Sequence, residues 1–186
     1  MGFVRIVGGA LRGRRLRVPD RGVRPTSERS REAVFDILGP ERVEGARVLD
    51  LYAGTGALGI EALSRGARTA DFLEGSRTVQ WALRENLERL GLSDRATVHG
   101  VDLSRISLPP GVNGPFDLVF LDPPYSGAEG ARWLTHLAEM PWPSGGGLIV
   151  YERRKGTPVP IPHGLTLATE RTYSETSVAF YHAGES

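Results

Sequence analysis

Apolar and polar positions along the chain follow two periods, one of two residues and one of three to four. Residues 3–7 (FVRIV) and 14–18 (RRLRV) alternate around Gly8-Gly9 and Gly13, which predicts a β-hairpin with a glycine-rich loop. Pro19-Asp20-Arg21-Gly22 reads as a turn. Ser27 or Thr26 can cap a helix running to Leu38, with Val34, Phe35, Ile37 and Leu38 on its apolar face, and Gly39-Pro40 ends it. Beyond residue 45 the two periods take turns. Strand 46–51 (ARVLDL) leads through a glycine loop into helix 57–66. Strand 69–74, helix 76–90, strand 95–99, strand 116–121, helix 128–140 and strand 146–152 follow. In helix 76–90 the stripe Trp81, Leu83, Leu87 and Leu90 reads as buried, with Arg84, Glu85, Glu88 and Arg89 outward. This alternation predicts a mostly parallel sheet with helices on both faces. Residues 153–163 contain three prolines and cannot hold a helix. Strands 164–171 and 176–183, joined by Tyr173-Ser174-Glu175, then predict an antiparallel hairpin whose reversed strand closes one sheet edge. The expected fold class is α/β: a Rossmann-like, seven-stranded, mostly parallel sheet with a C-terminal edge hairpin. A small N-terminal hairpin and helix precede it, so residues 1–40 form an extension and 41–186 the main domain.

Composition narrows the class. A chain of 186 residues buries about 70% of its unfolded surface and needs no covalent staple. It has no cysteine, which excludes a disulfide framework, a zinc ribbon, an iron–sulfur cluster and thiol catalysis. With 40% hydrophobic and 24% charged residues it has the balance of a globular protein. No apolar run approaches the roughly 18 residues of a bilayer span, and the start MGFVRIVGGALRGRR does not read as a signal peptide; a cytoplasmic location is expected. The net charge of +1 conceals an asymmetry. Residues 1–31 carry nine arginines (5, 12, 14, 15, 17, 21, 24, 29 and 31) against Asp20 and Glu28, which is +7 and leaves −6 for the remainder. Genome bias accounts for an arginine-rich composition with Lys155 as the single lysine, but not for this crowding. A basic arm on an acidic body predicts a polyanion held at one end.

Two motifs carry chemistry. The segment Asp50-Leu51-Tyr52-Ala53-Gly54-Thr55-Gly56-Ala57-Leu58-Gly59 places G-x-G-x-x-G between a predicted strand and a predicted helix. Gly54 and Gly56 permit a tight turn against a ligand, and Gly59 permits close helix–strand packing. Twenty residues beyond Gly54 the next strand ends in Glu74, placed to accept hydrogen bonds from ribose hydroxyls. Asp50 at the strand end disfavours a pyrophosphate and suits a cationic ligand, such as the ammonium and sulfonium of S-adenosylmethionine. The spacing resembles the first motif of the class I methyltransferases, in which the position of Asp102 contacts the adenine amine; ordinary loop capping explains Asp102 equally well.

The second motif, Asp122-Pro123-Pro124-Tyr125, directly follows strand 116–121. Ligands of open α/β sheets bind at the carboxyl ends of strands where strand order switches, which puts both motifs on one crevice. The Asp122 carboxylate and the Pro123 carbonyl can each accept an N–H of an exocyclic amine. That turns the amine lone pair out of the ring plane and towards a methyl donor. Tyr125 offers a face on which the base stacks. No metal is required, and the proton leaves to Asp122 or to water.

These residues together resemble the RsmD family of bacterial 16S rRNA guanine-N2 methyltransferases over essentially the whole chain. The resemblance rests on Arg5-Ile6-Val7-Gly8-Gly9 with Arg12-Gly13-Arg14, and on Arg24-Pro25-Thr26 with Arg29, Arg31-Glu32 and Phe35. It continues through the glycine loop, residues 122–125 and the Tyr173…Thr176…Phe180-Tyr181 hairpin. It implies methyl transfer from S-adenosylmethionine, giving S-adenosylhomocysteine, to N2 of one guanine (position 966 in the usual rRNA numbering). It further implies 16S rRNA within the small subunit or an assembly intermediate as partner, and a monomer without a membrane association. On this reading Tyr52, Ala53 and Thr55 join the glycines, Asp50, Glu74 and Asp102 around the cofactor. Arg5, Arg12, Arg14 and Arg15 contact RNA phosphates, and Arg24, Arg29 and Pro124 lie nearer the flipped base. Ser174 departs from the family pattern, which has glycine in the closing turn, and the first helix ends early at Leu38.

Other residues have plainer readings. The four histidines (99, 136, 163 and 182) have no metal-ligand spacing. Trp133 and Trp142 either rim the site or fill the core, and Glu152 either contacts the base or serves structure. Three rival functions share some features. A DNA adenine-N6 methyltransferase keeps the site but usually carries a target-recognition domain. A protein-glutamine methyltransferase usually has Asn at position 122. A non-catalytic RNA-binding assembly factor gives no reason to retain Asp122 with Tyr125.

Overall fold

The computed structural model describes residues 2–19, 27–124, 128–143 and 146–184. Strands β1 (Gly2–Arg5) and β2 (Arg15–Val18) form the expected antiparallel hairpin, with Val4 opposite Leu16. Val4, Ile6, Leu16 and Val18 point inward, while Phe3, Arg5 and Arg15 point out. Helix α1 (Glu28–Leu38) starts where Ser27 Oγ accepts the Ser30 amide. Its buried side is Val34, Phe35 and Leu38, joined by Arg31, whereas Ile37 is 38% exposed and lies off the expected face.

The main sheet contains β3 (Arg47–Leu51), β4 (Thr69–Glu74), β5 (Ala96–Gly100), β6 (Leu118–Leu121), β7 (Gly147–Arg154), β8 (Leu165–Tyr173) and β9 (Thr176–Ala183), in the order β5-β4-β3-β6-β7-β9-β8. The first five run parallel; β9 pairs antiparallel with both β7 and β8. The reversed strand is therefore β9, one place in from the edge, and not the edge strand itself. The long 155–164 connection carries the chain past that place, and the tight turn at residues 174–175 brings β9 back into it. Helices α2 (Ala57–Ser64), α3 (Arg77–Leu90) and α4 (Glu129–Ala138) connect β3 to β4, β4 to β5 and β6 to β7, whereas the β5–β6 connection holds only the 3-10 turn Leu103–Arg105.

Alternating side chains of each central strand feed two cores. Val48, Leu118, Phe120, Val150 and Phe180 face α1, α2, α3 and the N-terminal hairpin. Leu49, Leu51, Val119, Leu121 and Ile149 face α4 and residues 101–116. Such strands, covered on both faces, have to be apolar throughout, which is why β6 reads LVFL. The extension and the main domain thus share one apolar cluster, in which Phe35 packs on Phe120 with ring centroids 5.7 Å apart.

Helix α3 departs from the expected stripe. Leu83 and Leu87 are buried, but Trp81 is 60% exposed, and Val79, Gln80, Ala82 and Asn86 take the inward positions. The hairpin is the reason: β2 packs on α3 and turns Asn86 inward, where its amide donates to the Arg17 carbonyl (3.0 Å) and its oxygen accepts the Arg17 amide (2.8 Å).

Candidate active site

β3 and β6 are neighbours paired in parallel, Leu51 opposite Leu121, so their carboxyl ends leave the sheet side by side. The chain crosses from β5 to β6 on the other side of β3, which makes this edge the point where strand order switches. The Asp122 amide bonds to the Leu51 carbonyl at 3.4 Å and so ties the second motif to the start of the first. The glycine loop and Asp122-Pro123-Pro124 therefore leave the sheet from adjacent strand ends. Asp122 is half-buried, Pro123 buried and Pro124 exposed; Tyr125 lies outside the described residues.

The glycine loop is built from left-handed residues, with φ of 60° at Tyr52, 56° at Gly54 and 78° at Gly56. Gly59 is required by contact, because a Cβ there would stand 2.4 Å from the Phe72 ring. The Glu74 carboxylate closes the loop from the adjacent strand, accepting the Gly54 amide at 3.0 Å and the Ser76 amide at 2.7 Å. Ala53 is fixed by its amide to the Leu73 carbonyl, and Thr55 is buried.

Asp50, expected at the cofactor, sits at the foot of the loop. It is 2% exposed and its carboxylate accepts the Gly59 amide at 2.9 Å, beneath the loop and not on its open side. The helix explains this. The N-cap of α2 is Gly56, which has no side chain, so Asp50 supplies from the strand the acceptor that the N3 amide needs. Asp102 takes the capping role. It caps the 3-10 turn at residues 103–105 through the Ser104 amide (3.1 Å) and hydroxyl (2.7 Å), which hold its carboxyl below the usual range, yet its side chain is 61% exposed. No basic residue occurs between 50 and 64, and Glu74 ends β4 while Asp102 lies two residues beyond the end of the neighbouring β5. This donor set fits a cationic nucleoside and disfavours a pyrophosphate.

A connection that the sequence pattern does not reveal runs under the crevice. The Tyr52 hydroxyl donates to Glu129 (2.8 Å) and accepts from the Trp133 indole (3.1 Å), which also reaches the Leu103 carbonyl. Burial pushes the Tyr52 hydroxyl well above its ordinary pKa. Trp133 is fully buried and Trp142 half-buried, so both belong to packing, with Trp133 serving the loop as well.

The arginine arm divides. Arg5, Arg12, Arg14, Arg15 and Arg29 are exposed, and Arg15 lies over the Phe3 ring at 6.0 Å; Arg21 and Arg24 fall outside the described residues. Arg31, by contrast, is fully buried, with its Nε 3.4 Å from Glu61 and Nη2 donating to the Arg5 carbonyl. Glu61, itself buried in α2, also accepts the Val7 amide (2.9 Å) and Arg65 Nε (2.8 Å). The hairpin loop bonds to Ser64 through Gly8, Ala10 and Leu11, and Arg14 reaches the Arg89 carbonyl. Ser64 and Arg89 end helices whose other ends abut the crevice, so the structure does not bring Arg12 and Arg14 next to the catalytic motifs. They lie on the order of 12–20 Å away, one helix length.

Residues 4–182 match the sequence profile of a family described as Conserved hypothetical protein 95. Over 184 residues the chain is 38% identical to Ribosomal RNA small subunit methyltransferase D of Haemophilus influenzae, covering 97% of this chain and 94% of that one. The chain belongs to the RsmD family. Its similarity to the Escherichia coli K12 protein of the same description is 35% over 182 residues, covering 97% and 90%. The solved structure of the putative methyltransferase yhhF from Escherichia coli superposes on this RsmD-family chain with a TM-score of 0.85 at 35% identity, over 98% of both chains. An RNA methyltransferase from Salinibacter ruber, in complex with S-adenosyl-L-homocysteine, shares the fold at 16% identity and a TM-score of 0.63.

Proposed function

We propose that this chain transfers the methyl group of S-adenosylmethionine to the N2 amine of one guanine in 16S rRNA, within the small ribosomal subunit or an assembly intermediate. The pairing of Leu51 with Leu121 carries the reading, because it opens the glycine loop and Asp122-Pro123-Pro124 onto a shared crevice. Relatives described as small-subunit rRNA methyltransferases support the substrate class. When bound, S-adenosylmethionine supplies a methyl carbon made electrophilic by its sulfonium. The backbone of residues 52–56 faces the nucleoside, Glu74 accepts from its ribose hydroxyls and Asp102 from its adenine amine. Asp50 supports the loop from below. Asp122 and the Pro123 carbonyl accept the two N–H bonds of the guanine amine. They steer its lone pair out of the ring plane and stabilise the positive charge that develops on nitrogen. As N2 gains the methyl carbon it loses one proton, to the Asp122 carboxylate directly or through water. Tyr125 and Pro124 flank the base. Exposed Arg29, with Arg24, holds the RNA near the target; exposed Arg5, Arg12, Arg14 and Arg15 hold phosphates further along.

The test offers labelled donor and the purified chain to naked rRNA, small subunits, double-stranded DNA and a peptide-release factor, followed by digestion. N2-methylguanosine from the ribosomal samples is expected; methyladenine from DNA or methylglutamine from protein would contradict the reading. Asp122→Ala is expected to abolish transfer while leaving donor affinity within about twofold, and Glu74→Ala to weaken donor binding roughly tenfold, one or two hydrogen bonds' worth. Calorimetric titration with S-adenosylhomocysteine separates the two.

A further inference from the structure

A cleft beside Pro123 and Pro124, between the ends of β6 and β7, is also walled by Glu152, Arg153 and Thr157. The Arg153 side chain is only 4% exposed. Its Nε donates to the Thr157 carbonyl at 3.1 Å and its Nη2 pairs with Glu170 at 2.5 Å, while buried Nη1 has no partner among the described residues. A guanidinium does not deprotonate in a protein, so it cannot shed that donor. An N–H buried without an acceptor is a standing cost that a ligand oxygen would remove. Buried polar atoms in this state are rare, and this one belongs to a residue in the wall of the cleft beside Pro123 and Pro124.

From this, and resting on the function proposed above, we infer that Arg153 reads the ring carbonyl of the target base and so makes the site one for guanine and not for adenine. The wall is close to neutral, because Glu170 pairs with Arg153 and the lining holds Glu152 as well as Arg154, which suits a neutral carbonyl better than a phosphate. Covalent structure then selects the base. Guanine carries an exocyclic amine at C2 and a carbonyl at C6, on either side of one ring nitrogen, so it presents N–H bonds to Asp122-Pro123 and an oxygen to Arg153 together. Adenine bears its amine at C6 and has no oxygen to offer. A site with a buried unpaired donor rejects a ligand that lacks the matching acceptor, as arginine does at guanine O6 elsewhere.

The experiment uses the full chain and small-subunit rRNA assembled with guanine or 2-aminopurine at the methylated position; 2-aminopurine keeps the N2 amine and lacks O6. The wild-type chain is expected to lose roughly 10- to 100-fold in kcat/KM on 2-aminopurine. Arg153→Met is expected to lose a similar factor on guanine and nothing further on 2-aminopurine, with unchanged affinity for S-adenosylhomocysteine. Arg153→Lys, which keeps a charge for Glu170, is expected to lose the same discrimination and serves if the Met variant does not fold. Equal losses on both bases for the variants, or equal wild-type rates on the two bases, would overturn the proposal. So would a penalty that vanishes when the phosphate 5′ to the target becomes a neutral methylphosphonate, since that assigns Arg153 to phosphate. A wild-type chain that methylates no guanine RNA would instead remove the functional reading, and this inference with it.

Discussion

Burial holds the Asp50 carboxyl up to about 8, because desolvation outweighs the Gly59 amide bond that favours its charged form. The folded chain therefore binds a proton here that the unfolded chain releases near pH 4, and stability falls as pH rises through the window between the two values. Asp50→Asn keeps an oxygen for the Gly59 amide and removes the titration. Its urea-unfolding free energy is expected to fall less between pH 5 and 8 than that of the wild type; parallel profiles would contradict this. Glu61 is buried and surrounded by donors. Its loss leaves the buried Arg31 uncompensated, so Glu61→Ala is expected to cost about 3–5 kcal/mol in denaturant unfolding and to expose the hairpin to protease. The sequence made Asp50 visible by its spacing but not its direction, since spacing along a strand does not say whether a carboxylate faces ligand or helix. Neither Arg31 nor Glu61 was legible, because Arg31 in a polar-looking helix reads as solvated, and Glu61 in the apolar ALGIEALS has partners that come from the distant hairpin and α1.

Among the elements, the turn between β8 and β9 holds Ser174 at φ 54°, in the left-handed region that favours glycine. Ser174→Gly is expected to raise stability by about 1 kcal/mol without changing activity, as measured by thermal unfolding alongside methyl transfer. Strand and helix positions were readable throughout the main domain, with bounds off by one or two residues, since each element's period repeats over its whole length. The buried face of α3 was misread because a stripe assignment presumes one partner, whereas α3 packs on both the sheet and the hairpin, leaving Trp81 in solvent. The hairpin itself lies along α2 and α3 with its basic loop at the ends of those helices far from the crevice. Substituting alanine for Arg12 and Arg14 together is therefore expected to weaken rRNA binding and lower its salt slope by about 2, with kcat unchanged at saturating RNA. A fall in kcat with an unaltered slope would place these residues at the target instead.

At the scale of the whole molecule, a segment of charge +7 is fastened to a body of charge −6 whose crevice lies where strand order switches. The switch point was legible in the sequence because it follows from strand–helix alternation and the place where two motifs end their strands. The docking of the basic segment was not, since it depends on Glu61, Ser64 and Asn86, polar residues buried in helices that read as ordinary. The central claim is that a donor held by the glycine loop faces an amine held at residues 122–123. A crystal structure of the chain with S-adenosylhomocysteine tests it most directly. The ribose is expected on Glu74, with the sulfur's vacant methyl direction pointing between the Asp122 carboxylate and the Pro123 carbonyl. A nucleoside bound at another edge of the sheet, or a sulfur turned away from those two oxygens, would contradict the account.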